Sequence, residues 1–383
     1  MTPRPPRRPR TTTRVAAAAV ATLVALVLAE VGLRAFEAPC RPLGRLGYAD
    51  ADGNPVADLK KAAERGFVVP VPGEPPRPRF MFAPGLDFFL TYTDQDVLQR
   101  DWLDAEGRLP NHINRFGLRE RDEITPDKPP GEQRIVCIGD SFTYGWGIPA
   151  EANWVRRLEA ELRTDGREVR TVNCGASGTV CVDEYWHGLR HRFHAFGPDA
   201  VVLTLCLNDL LPSSGLSFQV PIAPTGVRVL DLLRAALGRD PLDLDPARDW
   251  VGELLALPRE QAEAGGLCNP DRPFEAMWSQ GVPQRCLREV RDWCGARQIP
   301  LLVVLWPFLQ GLGPGRSYPF AKMHALVAAE CADAGIPFLD VLPALADTPH
   351  EDLWVTPDDL HPNPGAQALA LPSIVAFVRR HTE

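Results

Sequence analysis

The stretch Arg134-Ile-Val-Cys-Ile-Gly-Asp-Ser-Phe-Thr-Tyr-Gly145 decides how the rest of the chain is read. An apolar run of strand length, Arg134–Ile138, ends on Gly139-Asp140-Ser141, and small and polar residues then lead into a helix. A hydroxyl placed there stands at the rim of a buried sheet, with the amides of the next turn pointing at whatever it attacks. A lone serine after a strand is equally well a helix N-cap, so its meaning depends on what else the chain brings to that rim.

Outward from this stretch the same rhythm repeats. Strand-length apolar runs at Arg134–Ile138, Val169–Asn173, Ala200–Leu205, Pro300–Leu305 and Pro337–Asp340 alternate with amphipathic stretches around Trp154–Leu162, Asp183–Phe193, Phe274–Arg297, Phe320–Ala334 and Ala366–Arg379. Leu, Val and Ile fill the runs almost continuously, which is the pattern of strands covered on both faces. Alternation of this kind predicts a parallel five-stranded sheet wound on both sides, whose site forms beyond the carboxyl ends of the strands. Residues 211–273, rich in Pro, Gly and Asp, interrupt the rhythm as an insertion that reads either as a lid over that edge or as a surface loop.

Two further strand ends carry polar groups. Asn173-Cys-Gly-Ala-Ser-Gly178 follows the second strand and Leu207-Asn208-Asp209 the third. Near the C-terminus stands Asp358-Asp359-Leu360-His361-Pro362-Asn363. A neutral imidazole suits the deprotonation of a serine, its reference pKa being about 6.5. An acid three residues earlier can turn back to fix the tautomer, which assigns the orienting role to Asp358 and leaves Asp359 pointing away. The expected site is therefore Ser141 as nucleophile, His361 as base and Asp358 as orienter. The N–H of Ser141, the N–H of Gly178 and the side-chain amide of Asn208 would hold the oxyanion.

With these four segments assembled, the chain resembles the SGNH (GDSL-like) hydrolase family of the membrane-anchored bacterial type. Gly139-Asp140-Ser141, Gly178, Asn208 and Asp358-x-x-His361-Pro362 match its four blocks in order. The resemblance covers roughly residues 110–380, and Asn114-Arg-Phe-Gly-Leu-Arg119 is similar to a segment that precedes the first block. It implies a flavodoxin-like three-layer α/β/α sandwich, no cofactor, and hydrolysis of esters or thioesters. Acyl transfer to, or deacetylation of, extracellular glycans and a non-catalytic binding module on the same fold are the rival readings.

The leader bounds location. Arg4, Arg7, Arg8, Arg10 and Arg14 precede the apolar run Val15–Ala29, a positive flank that favours a cytoplasmic N-terminus. A helix over residues 15–36 spans about 33 Å, enough for a bilayer core of about 30 Å. Residues 1–14 then form a basic tail, 15–36 a transmembrane signal anchor, 37–130 an extended connector with a β-rich extension, and 131–383 the hydrolase domain. Cleavage after Val27-x-Ala29 is the alternative, giving a secreted enzyme. Either way the residues after about 40 lie outside the cytoplasm.

Net charge is −8 and becomes −13 without the five leader arginines, which argues against nucleic acid or anionic lipid as ligand. The implied partners are a small-molecule, lipid or glycan acyl ester and, through the first helix, the membrane. His187, His191 and His194 share a helix face, but interleaved Arg190 and Arg192 make it a solvated face rather than a metal site. Of nine cysteines, Cys137 and Cys206 read as small buried residues, and Cys268, Cys286 and Cys294 as the better disulfide candidates.

Overall fold

The computed structural model of the 383-residue chain describes residues 11–35, 46–56, 65–70, 80–92, 100–164, 166–176, 182–210, 227, 229–230, 278, 281–356 and 359–382. Two units divide it. Residues 1–44 and 222–245 form one, and residues 45–221 and 246–383 the other. In the first unit α1 (Thr11–Ala35) carries the apolar stretch Val15–Leu33, with mean hydropathy 2.2. Val15, Leu23 and Leu28 are exposed on it, and the helix is long and apolar enough to cross a membrane. Within the same unit the backbone N–H of Val229 donates to Glu30 Oε2 at 2.9 Å.

The second unit opens with short antiparallel strands: β1 (Leu46–Asp50), β2 (Pro55–Val56), β3 (Val68–Pro70), β4 (Phe80–Phe82), β5 (Asp87–Tyr92) and β6 (Arg108–His112). Four of them make a sheet in the order β2-β1-β5-β6, while β3 pairs with β4. From residue 133 the pattern changes to β7 (Gln133–Gly139), α2 (Ser141–Tyr144), α3 (Trp154–Arg163), β8 (Val169–Gly175), α4 (Val182–His191) and β9 (Ala200–Leu205). Beyond the insertion come α5 (Val282–Gly295), β10 (Leu301–Leu305), α6 (Ala321–Asp333), β11 (Phe338–Asp340) and α7 (Leu342–Leu345), then the hairpin β12 (Trp354–Thr356) and β13 (Asp359–Pro362), and finally α8 (Pro364–Thr382).

Strands β7 to β11 form one parallel sheet in the order β11-β10-β9-β7-β8. Counted from the β8 edge this is the second-first-third-fourth-fifth order of flavodoxin-like folds. Successive side chains of a strand point to opposite faces, and the core divides accordingly. Val136, Ile138, Val201, Leu203, Val303 and Leu305 pack with α4, α5 and α6 on one face. Ile135, Cys137, Ala200, Val202, Leu302 and Val304 pack with α3, α7 and α8 on the other. The result is the expected three-layer α/β/α sandwich. The expected strands at Ala200–Leu205 and around Arg134–Ile138 match within a residue or two, and the last helix is longer than its period suggested.

A third core belongs to the extension. Tyr48, Val56, Phe82, Phe88, Leu90, Tyr92 and Leu109 pack there, and Tyr144, Trp146, Ile148 and Val355 of the sandwich enter the same cluster. The extension thus shares its interior with the segment that follows the nucleophile rather than lying on the surface as a separate layer.

The disulfide expectation is corrected for the residues described. Cys286 and Cys294 are free, buried thiols on α5 facing the sheet core, as is Cys174 at the end of β8. Their positions on the helix turn them toward apolar packing rather than toward each other, and burial raises each thiol pKa. Cys268 lies outside the described residues.

Candidate active site

The turn from β7 into α2 is built by its own sequence. Asp140 caps the helix, its Oδ1 accepting the N–H of Phe142 at 2.9 Å, the usual role of an acid before a first helical turn. Asn153 Nδ2 donates to the carbonyl of Thr143 at 2.9 Å and so ties α2 to the start of α3. Gly175 at the end of β8 lets α2 approach, since a Cβ there would sit 2.1 Å from the Tyr144 nitrogen. Ser141 is consequently held at the carboxyl end of β7, between β9 and the edge strand β8, and is almost wholly buried.

His361 arrives from the other end of the chain. β13 pairs antiparallel with β12, and Asn363 then fixes the entry into α8 by donating to the carbonyls of Asp352 and Trp354 and accepting from Ala366. Through this hairpin His361 Nε2 lies 2.8 Å from Ser141 Oγ, although 220 residues separate them. In the tautomer protonated at Nδ1, the serine hydroxyl donates to Nε2 and Nδ1–H donates to Asp359 Oδ1 at 2.5 Å. The imidazole keeps 29% of its side-chain surface exposed while Asp359 keeps 4%, so the ring is the member of this row that faces solvent. Phe142 and Trp146 pack against it with ring centroids 5.8 and 6.0 Å away.

The acid beside the histidine is therefore Asp359, which corrects the expectation of Asp358. The segment is a strand rather than a turn, and in a strand residues two apart share a face. An Asp-x-His spacing thus brings carboxylate and imidazole together where Asp-x-x-His would need the chain to double back. Asp358 itself lies outside the described residues, as does Gly178. Asn208 sits in a single 3-10 turn, Leu207–Leu210, directly after β9.

Electrostatics follow from burial and partners. Burial works to raise the Asp359 pKa, but the His361 charge and the hydrogen bonds from His361 and Tyr92 outweigh it and hold the carboxyl below its ordinary value. Asp140 is pushed up to about 6 by burial, which its bond from Phe142 only partly offsets. Asp209 rises as well, through burial and the nearby Asp140 charge.

Three groups around the site are not evident from the strand-and-helix rhythm. Arg119 is buried; its Nη1 donates to the carbonyls of Tyr144 and Gly145, and its Nη2 donates to that of Ile148 at 2.7 Å. This one guanidinium clamps the loop leaving α2, which accounts for the segment Asn114–Arg119. Tyr144 Oη and Asn111 Oδ1 of β6 are 3.3 Å apart. Tyr92 at the end of β5 donates from its hydroxyl to Asp359 Oδ2 at 2.7 Å. No sequence signal short of the strand pairing itself points to Asn111 or Tyr92. Among the described residues no group of His, Cys, Asp and Glu is arranged to hold a metal ion.

A parallel α/β sandwich with serine, imidazole and carboxylate in a row at its carboxyl edge is the architecture of one class of hydrolase. Residues 137–369, well over half of the chain, match the GDSL-like Lipase/Acylhydrolase family, and the chain belongs to it. No curated protein matches the chain as a relative. Similar solved structures include TesA, with 17% identity over 65% of this chain and 99% of that one at a TM-score of 0.39. LAE5, an alpha/beta hydrolase from the metagenome of Lake Arreo in Spain, is 16% identical over 64% and 95% at a TM-score of 0.38. The psychrotrophic esterase EstA from Pseudoalteromonas sp. is 14% identical over 65% and 97%, also at 0.38.

Proposed function

We propose that the protein is a serine hydrolase that cleaves carboxylic acyl esters through an acyl-enzyme intermediate. The observation that carries this reading is the unbroken row from Ser141 Oγ to His361 Nε2 at 2.8 Å and from His361 Nδ1 to Asp359 at 2.5 Å. Ser141 Oγ attacks the acyl carbonyl carbon as its proton passes to Nε2. The imidazolium, stabilised by the Asp359 carboxylate, then gives that proton to the leaving alcohol oxygen as the ester C–O bond breaks. Water, deprotonated by the same nitrogen, attacks the acyl-enzyme, and Ser141 leaves with the returned proton.

The backbone N–H of Ser141, with Gly178 and Asn208, serves the oxyanion; loss of one such donor costs about 10² to 10³ in rate. The substrate is a small-molecule, lipid or glycan acyl ester, and no step needs a cofactor. The long apolar helix α1 supports a membrane anchor, with the hydrolase domain on the extracytoplasmic side.

A fluorophosphonate probe tests the core of the reading. The folded wild-type protein becomes labelled at Ser141, and Ser141→Ala removes the label together with release of p-nitrophenol from p-nitrophenyl acetate. Folded wild-type protein that takes no label would overturn it.

A further inference from the structure

We propose that Tyr92, a residue of the antiparallel extension, is a positioning residue for the reaction: its hydroxyl fixes the carboxylate that orients His361. The inference rests on the hydrolase reading above and adds a fourth member to its row. Tyr92 Oη donates to Asp359 Oδ2 at 2.7 Å, while Oδ1 takes the Nδ1–H of His361 at 2.5 Å. Among the described residues Oδ2 has no other hydrogen bond, so the carboxylate is pinned at both oxygens by one donor from each of two sheets. A carboxylate held at both ends cannot swing about its terminal torsion, which is otherwise a broad, soft coordinate.

The tyrosine is itself held. It ends the interior strand β5, its N–H donates to the carbonyl of Gly107 at 2.8 Å, and both it and Asp359 are buried. Gly147 leaves room for its hydroxyl, because a Cβ at that position, which has φ +73°, would lie 2.7 Å from Tyr92 Oη and 2.8 Å from Val355. Besides Tyr92 and His361, the ionisable groups facing Asp359 are Tyr48 of β1 and, beyond the imidazole, Asp140; Arg119 and Tyr144 complete the surroundings of Tyr92 and Tyr48. Among the described residues only Tyr92 and His361 donate to the carboxylate from a side chain.

Removing the hydroxyl leaves more negative charge on Asp359, which holds the imidazolium more tightly. The base then becomes available only at higher pH. The test is steady-state hydrolysis of p-nitrophenyl acetate across pH by the full chain and by Tyr92→Phe. The expected result is a kcat lower by roughly 10- to 100-fold, as for loss of a hydrogen bond to a charged group, with KM little changed and the acid limb of kcat/KM displaced upward. A 3-fluorotyrosine placed at position 92 keeps the fold and strengthens the donor, and it displaces the limb downward.

Tyr144→Phe removes another hydroxyl from the same core, next to Asn111, and lowers the melting temperature while leaving the limb in place. An unmoved limb in both position-92 proteins would overturn the proposal, as would a Tyr144→Phe limb that moves equally. Fluorophosphonate labelling separates the two levels: a labelled wild type with an indifferent Tyr92→Phe defeats this inference alone, whereas an unlabelled wild type defeats the hydrolase reading and this inference with it.

Discussion

In the parallel sheet every residue of Ala200–Leu205 and Leu301–Leu305 is buried, whereas in the antiparallel sheet Asp87–Tyr92 and Arg108–His112 alternate between covered and open positions. The first sheet lies between two layers of helices and offers only its carboxyl edge for chemistry. The second buries one face, and that face packs on Tyr144, Trp146, Ile148 and Val355 around the nucleophile and the histidine hairpin. On the proposed reading the parallel sheet presents Ser141, the β12-β13 hairpin brings His361 and Asp359 to it, and the antiparallel sheet restrains them. Reacting groups can sit on a rigid scaffold edge, but the orientation of a buried carboxylate needs a donor from a second direction, which a one-sided sheet supplies.

The sharpest way to break this comparison is at Asp359, where the histidine hairpin meets the antiparallel sheet through Tyr92. Asp359→Asn offers the imidazole an amide in place of a carboxylate, destabilises the protonated ring and disfavours the working tautomer. A fall of about 10⁴-fold in kcat is expected, measured on p-nitrophenyl acetate. The same change at Asp358 should cost less than about tenfold on that scale; if Asp358→Asn is the more damaging, the assignment of the acid is wrong.

A second test concerns the extension as a structural partner. Leu90 is fully buried in the third core, so Leu90→Ala should cost about 2–5 kcal/mol of stability. Because that core contains residues of the extension together with Tyr144, Trp146, Ile148 and Val355 of the hydrolase domain, the loss should appear as one cooperative thermal transition shifted downward. Two separated transitions, with hydrolysis surviving the first, would show the extension to be dispensable.

The smallest effect is expected at Asp140. Its pKa is raised to about 6 in the fold, so between pH 4 and 6 the unfolded chain is ionised while the folded one holds its proton, and stability falls across that window. Above pH 6 the full cost is present, and below pH 4 it vanishes. Asn keeps the cap and removes the charge, so Asp140→Asn should gain about 3 kcal/mol at pH 7.5 and nothing at pH 3.5. Denaturant melts at the two pH values measure it, and an equal effect at both would refute the account.

Much of this architecture is legible in the order of residues. Continuous Leu, Val and Ile runs announce strands covered on both faces, and Gly139-Asp140-Ser141 at the end of one of them announces an edge residue, because these are local properties of a few adjacent side chains. The choice between Asp358 and Asp359 was not legible from spacing alone. It turns on whether Asp359–Pro362 is extended, and that is decided by its pairing with Trp354–Thr356. Tyr92 was invisible for a stronger reason. Its partner lies 267 positions away, and the strand bearing it has an alternation common to any half-covered sheet. Arg119 lay within a segment whose resemblance marked it, but not its three carbonyl partners.

On the hydrolase reading proposed above, the distance along the chain between Ser141 and His361 also sets when reactivity appears during synthesis. A ribosome finishes the nucleophile, its cap and the tyrosine strand long before it reaches the hairpin at Trp354–Pro362 and the helix that closes over it. Until those last residues emerge, Ser141 has no base beside it and is an ordinary alcohol. The nascent chain therefore passes through nearly its whole length without the proposed base, and any premature stop ahead of residue 361 yields a protein that lacks it.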